Sequence, residues 1–102
     1  GDVVARYGGE EFVVLLPDTA LARGVETAER IRRVVAAQSV PLTGDGSGPD
    51  VRVTLSIGVS LLECPSLQTP VAELASALVA RADQALYQAK SAGRNRVMAL
   101  AG

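Results

Sequence analysis

The sequence predicts an α+β domain with helices packed on a mainly antiparallel sheet, in the order β-β-α-β-α-β. Three observations carry this. Gly8-Gly9 separates two apolar runs, residues 3–7 and 12–16, and so reads as a hairpin turn. Val51, Val53, Leu55, Ile57, Val59 and Leu61 alternate with smaller or polar residues, which is the period of a strand. Two further stretches repeat apolar residues every three or four positions, as amphipathic helices do.

Taken in order, Gly-Gly permits positive φ at both positions, which suits a two-residue turn. Pro17-Asp18-Thr19 closes the second run, and Asp18 or Thr19 is placed to cap the next helix. That helix is expected over residues 20–38, with Leu21, Val25, Ala28, Ile31 and Val35 as its apolar stripe. Arg23, Glu26, Glu29, Arg30, Arg32 and Arg33 occupy its other sides. They read as a solvated face with pairs worth about 0.2–0.5 kcal/mol each. Residues 43–50, rich in Gly, Ser and Asp, form a loop that matches neither a P-loop nor an EF-hand. The alternating strand follows, and Gly58 inside it marks a close backbone approach or a bulge. Pro65 and Pro70 bracket a second break. A second helix over residues 71–92 carries Leu74, Leu78, Ala82, Ala85 or Leu86, and Ala89, and Gly93 ends it. Residues 97–100 supply a last strand.

Composition narrows the function. With 48% apolar and 21% charged residues in 102, the chain is globular and fits one small domain. Aromatics are only 3%, so the core falls to Val, Leu, Ile and Ala, and its stability is expected to be marginal. A net charge of −1 without long runs of one sign points to no nucleic acid and no anionic membrane surface. No apolar stretch approaches the roughly 20 residues of a spanning helix, and no secretory signal is visible. Cys64 is the single cysteine, so there is no disulfide framework and no Cys-based metal site, and a lone thiol fits a reducing cytoplasm. With no histidine, Ser-His and Cys-His pairs are excluded, and any metal is oxygen-ligated: Mg²⁺, Mn²⁺ or Ca²⁺. The chain starts at Gly1 and is strand-like by Val3, so it reads as part of something longer.

Two constellations carry chemistry. Glu10 and Glu11 put adjacent carboxylates at the turn, where a hard cation can be held while a phosphate nears a side-chain-free backbone. Gly-Gly with neighbouring charges is equally an ordinary solvated hairpin. Lys90 in the last turn of the second helix, and Arg94 just past Gly93, complement the helix dipole. The sharper reading is a phosphate clamp, with Lys as a point charge and Arg as a planar fork. Carboxylates for a metal and cations for phosphate are together the equipment of phosphoryl or nucleotidyl transfer.

Three blocks then resemble one family. Arg6-Tyr7-Gly8-Gly9-Glu10-Glu11-Phe12, Ser56-Ile57-Gly58-Val59-Ser60 and the run from Ala82-Asp83-Gln84-Ala85-Leu86-Tyr87 through Lys90 to Gly93-Arg94-Asn95-Arg96-Val97 are similar to the landmarks of the GGDEF domain of diguanylate cyclases. The match runs from Asp2 to about Val97 and implies a partial nucleotidyl-cyclase-like domain of the palm, ferredoxin-like kind. The resemblance implies condensation of two GTP into cyclic di-GMP plus pyrophosphate, with Mg²⁺ or Mn²⁺, in a head-to-tail homodimer. It implies Glu10 as metal ligand, Glu11 as a second active-site carboxylate, Gly8 and Gly9 as the approach for nucleotide, and Lys90 and Arg94 as contacts to the terminal phosphates. Phe12 reads as a core anchor, Tyr87 as packing and Asp83 as structural. Asp2 falls where the family's inhibitory product site, Arg-x-x-Asp, has its Asp, with the partner Arg ahead of Gly1. Glu10 stands where the family usually has Asp and keeps the carboxylate.

The family's further metal-binding Asp and its guanine-reading Asn and Asp precede this segment. Residues 1–102 are therefore expected to be the C-terminal part of a single GGDEF domain, truncated at its N-terminal side and inactive alone. The parent is expected in the cytoplasm or anchored there through upstream domains. The apolar hairpin, short of neighbours, invites dimerisation or swapping. The alternative function is a degenerate, non-catalytic module that binds GTP, cyclic di-GMP or a protein.

Overall fold

The computed structural model describes residues 2–62 and 66–100. Gly1, Cys64 and Pro65, each singled out above, lie outside them. Strands β1 (Val3–Gly8) and β2 (Glu11–Leu15) form the expected antiparallel hairpin, in register from Val3↔Leu15 to Arg6↔Phe12. The next pair is Gly8↔Glu11, which leaves Tyr7 as a bulge. That extra residue moves the turn one position along, to Gly9-Glu10 rather than Gly8-Gly9. Positive φ is needed once only, at Gly9 (+49°).

Helix α1 (Leu21–Ala37) follows, but neither Asp18 nor Thr19 caps it. The Thr19 hydroxyl donates back to the Pro17 carbonyl at 2.9 Å, and Asp18 turns left-handed at φ +51°. Ala20 takes the cap position, and its carbonyl accepts the Gly24 N–H at 3.0 Å.

The long alternating strand expected over residues 51–61 is two strands. β3 (Ser39–Pro41), which the sequence reading missed, pairs antiparallel with β4 (Asp50–Arg52). Residues 53–56 lie in no ladder, and β5 (Ile57–Ser60) runs parallel to β6 (Val97–Leu100). Helix α2 (Val71–Ser91) makes the crossover between them. One alternating sequence serves both halves because each finds a different partner: a neighbouring hairpin arm for β4, a distant strand for β5. The order is therefore β-β-α-β-β-β-α-β. Two of the three ladders are antiparallel, while both helices lie on the parallel one.

Small residues set the packing. Gly58 is the close approach expected from the sequence: a methyl there would run into the Ala82 carbonyl and the Leu86 backbone nitrogen of α2. Ala85 and Ala89 are fully buried on that helix face, and the Ser60 hydroxyl donates to the Leu78 carbonyl at 2.7 Å. From α1, Gly24 and Ala28 are buried, with Val59 against Gly24. Among the described residues the buried hydrophobic side chains are these three alanines, so the core has little area. The hairpin, by contrast, keeps Val4 and Phe12 about two-thirds exposed. The molecule is elongated, 58 by 25 by 22 Å. No helix among the described residues is long and apolar enough to cross a membrane.

Candidate functional site

The turn is fastened by a residue that the sequence reading gave no role. The Arg6 guanidinium donates twice to the Gly9 carbonyl, through Nε at 3.1 Å and Nη2 at 2.8 Å. Arg6 stands three residues before Gly9 on the incoming strand, a spacing from which an arginine reaches a turn carbonyl. Its fork fixes the backbone and leaves the carboxylates alone. Glu10 is exposed and Glu11 half-buried, and neither makes a side-chain hydrogen bond or ion pair among the described residues. Beside Gly8 and Gly9 an added Cβ would meet nothing within 4 Å, so the backbone there is open to a ligand.

For a hard cation, the donor chemistry is suitable. Both groups are carboxylates, and Mg²⁺ is commonly held by one or two protein carboxylates with water and phosphate oxygens completing six. No group of three or more His, Cys, Asp or Glu side chains gathers among the described residues, so a cation here depends on oxygens from substrate or solvent.

The cations stand at the C-terminal end of α2 and just past it. Lys90 lies in the last turn of α2, half-buried, where it also complements the helix dipole. Past the helix the chain takes three consecutive positive φ values: Gly93 (+125°), Arg94 (+64°) and Asn95 (+47°). The first suits only glycine, and the others are uncommon for residues with side chains. The loop is tied from three directions. The Arg94 N–H donates to the Ala89 carbonyl at 2.9 Å, and the Asn95 N–H to the Ser56 hydroxyl at 3.2 Å. The Ile57 N–H donates to the Arg96 carbonyl at 3.0 Å. From α1, Arg32 Nη1 donates to Asn95 Oδ1 at 2.9 Å. The Arg94 side chain is left exposed with no ion pair among the described residues.

Arg32 therefore does more than sit on a solvated face. Its Nε and Nη2 grip both oxygens of Glu29, at 2.9 and 3.0 Å. That hydrogen bond holds the Glu29 carboxyl below its ordinary pKa and the Arg32 guanidinium above its own. The i,i+3 pair was legible in the sequence. The reach to Asn95, 63 residues away, was not.

The structure gathers Gly8 to Glu11 at one hairpin tip and Lys90 with Arg94 at one helix end. No hydrogen bond or ion pair joins the two groups among the described residues. Tyr7 faces Ala75, Ser76, Val79, Ala80 and Asp83 of α2 across an open hollow. Lys90 lies about 10 Å further along the helix axis than Asp83, at 1.5 Å per residue. Two readings change. Phe12 is 66% and Tyr87 72% exposed, so neither is packed into the core. Asp83 lines the hollow and makes no hydrogen bond or ion pair among the described residues. Asp2 stands exposed ahead of β1.

The structure thus sets a glycine-glutamate hairpin ahead of a β-α-β unit. Residues 1–96 match the family described as diguanylate cyclase, GGDEF domain, and the chain is a member of it. It is 47% identical over 97 residues to the response regulator PleD of Caulobacter vibrioides, covering 95% of this chain and 20% of that protein. It is 46% identical over 99 residues to the diguanylate cyclase DgcM of Escherichia coli K12, covering 97% and 21%. Among solved structures, the GGDEF domain of DgcB from Caulobacter crescentus, in complex with c-di-GMP, superposes with a TM-score of 0.79 at 33% identity. That match covers 96% of this chain and 51% of the other. The active GGEEF domain of a diguanylate cyclase from Vibrio cholerae gives 0.74 at 32% identity, covering 97% and 56%. The chain spans about a fifth of these curated relatives and about half of these solved chains.

Proposed function

We propose that the protein carrying these residues is a diguanylate cyclase. It joins two GTP into cyclic di-GMP and releases two pyrophosphates, with each of two head-to-tail domains holding one GTP. The observation that carries this reading is the turn Gly8-Gly9-Glu10-Glu11-Phe12. It spells the GGEEF form for which the Vibrio cholerae domain is described as active, and neither of its carboxylates makes a side-chain hydrogen bond or ion pair among the described residues.

Glu10 holds Mg²⁺ or Mn²⁺, and Glu11 is the second carboxylate of the site. A bound cation supplies neutralisation of phosphate charge and polarisation of a phosphoryl oxygen. Gly8 and Gly9 present bare backbone to the nucleotide. Lys90 and Arg94 take the terminal phosphates, the group that departs as pyrophosphate when the α–β anhydride bond breaks and the new phosphodiester forms. Asp2 belongs to a product site, consistent with the cyclic di-GMP complex of the DgcB domain. Residues 1–102 form the C-terminal part of one such domain, and by themselves they do not turn over GTP.

Incubating the full-length protein with GTP and Mg²⁺ tests this, with product identified by mass spectrometry. Cyclic di-GMP is expected, and it is lost in Glu10→Ala and on chelation of the metal. A folded, dimeric, Mg²⁺-loaded protein that binds GTP without forming product overturns the reading in favour of a non-catalytic nucleotide-binding module.

A further inference from the structure

We propose that Arg32 is a positioning residue for Arg94, acting through Asn95. The inference rests on the reading of Arg94 as a phosphate contact. Arg94 sits in a loop whose backbone is left-handed at both Arg94 and Asn95, a conformation that needs its surroundings to hold it. Most of the ties are backbone groups or come from β5 and its approach, which are shared with the fold at large. One tie is a long-range contact between side chains: Arg32 Nη1 to Asn95 Oδ1, 2.9 Å.

Arg32 is itself prepared for this. Glu29 takes its Nε and Nη2 in a two-pronged pair, which fixes the plane of the guanidinium and directs the remaining nitrogen at the loop. A lysine at position 32 reaches Glu29 or Asn95 but cannot hold both in one plane. Glu29, Arg32 and Asn95 thus form a strut from α1 to the segment that presents Arg94. A strut of this kind sharpens phosphate binding by fixing where the fork points, because small misplacements of a binding group carry large rate and affinity losses.

The test uses the full-length protein with Mg²⁺ and a non-hydrolysable GTP analogue, read by calorimetry, together with backbone amide exchange. Arg32→Met is expected to weaken analogue binding about tenfold. In an Arg94→Ala background the same change is expected to add less than about twofold, since the strut then has nothing to aim. Amides of residues 94–96 exchange faster in Arg32→Met, while those of the α2 interior do not. Asn95→Gly keeps the left-handed backbone accessible and removes only the acceptor, so it reproduces the effect if Arg32→Met folds poorly. Equal losses with and without Arg94 overturn the positioning role, as does an Arg32→Met protein with unchanged affinity and loop exchange. Arg94→Ala with unchanged affinity overturns the phosphate reading itself, and the positioning role with it.

Discussion

Gly58 and Leu86 meet backbone to backbone: a Cβ added at Gly58 would stand 2.9 Å from the Leu86 Cα. Real Cβ atoms do not approach so closely, and the obstacles are main-chain atoms with no rotamer to escape into. Gly58→Ala must therefore push α2 off β5, the contact on which the thin alanine core depends. A loss of about 2–3 kcal/mol is expected in urea denaturation, at the upper end for overpacking. A loss under about 0.5 kcal/mol is incompatible with this helix–strand spacing.

The two turn glycines separate fold from function. Gly9 is left-handed, so Gly9→Ala is expected to cost about 1 kcal/mol even though no atom obstructs the new methyl. Gly8 lies in β1 without positive φ and faces open space, so Gly8→Ala is expected to be neutral, within about 0.5 kcal/mol. If nucleotide approaches that backbone, the same Gly8→Ala raises KM for GTP. Denaturation and steady-state kinetics on one pair of variants read both effects, and an unchanged KM removes Gly8 from the site.

Arg6 should govern the order of the turn. Arg6→Gln withdraws the fork from the Gly9 carbonyl, an exposed interaction worth at most about 1 kcal/mol. Global stability should hardly move. The Glu10 and Glu11 amides should exchange faster than in the parent, seen by nuclear magnetic resonance. Unaltered exchange there means that the hairpin ladder alone holds the tip.

The loop at Asp45 gives a pH dependence. Its Oδ1 accepts from the Ser47 hydroxyl at 2.7 Å, the Ser47 N–H at 3.0 Å and the Thr43 hydroxyl at 2.9 Å. These bonds favour the charged form and lower its pKa to about 2, with the Ser47 hydroxyl the largest cause. A depressed carboxylate stabilises above its unfolded value, and the contribution disappears as pH falls through the folded one. Local order at residues 43–48 should be complete above about pH 4 and fade toward pH 2, followed through the Ser47 amide shift. Asp45→Asn should remove the pH dependence. A midpoint near 4 in the parent contradicts the hydrogen-bonded geometry.

How much was legible follows the range of the interaction that fixes each feature. Both helices were placed to within a residue or so, because their apolar repeat is local and Gly93 marks an end whatever surrounds it. Gly58 announced a close approach or a bulge, and the packing of α2 against it made it the close approach. The helix cap was misplaced, because whether the Thr19 hydroxyl turns forward to the helix or back to Pro17 depends on the path of the chain.

The sequence by itself determined the hairpin, the two helices, the carboxylate pair at the turn and the two cations at the end of the second helix, Lys90 in its last turn and Arg94 just past it. Each is written in neighbouring residues whose backbone preferences and spacing act within a turn or two. Only the tertiary structure decided that one alternating run becomes β4 and β5, since ladder partners come from elsewhere in the chain. It likewise decided that the turn is Gly9-Glu10, that Phe12 and Tyr87 are exposed, and that Arg32 meets Asn95. The physical reason is common to all four. Register, exposure and a hydrogen bond across 63 residues depend on where two distant segments come to rest, and no local preference encodes that.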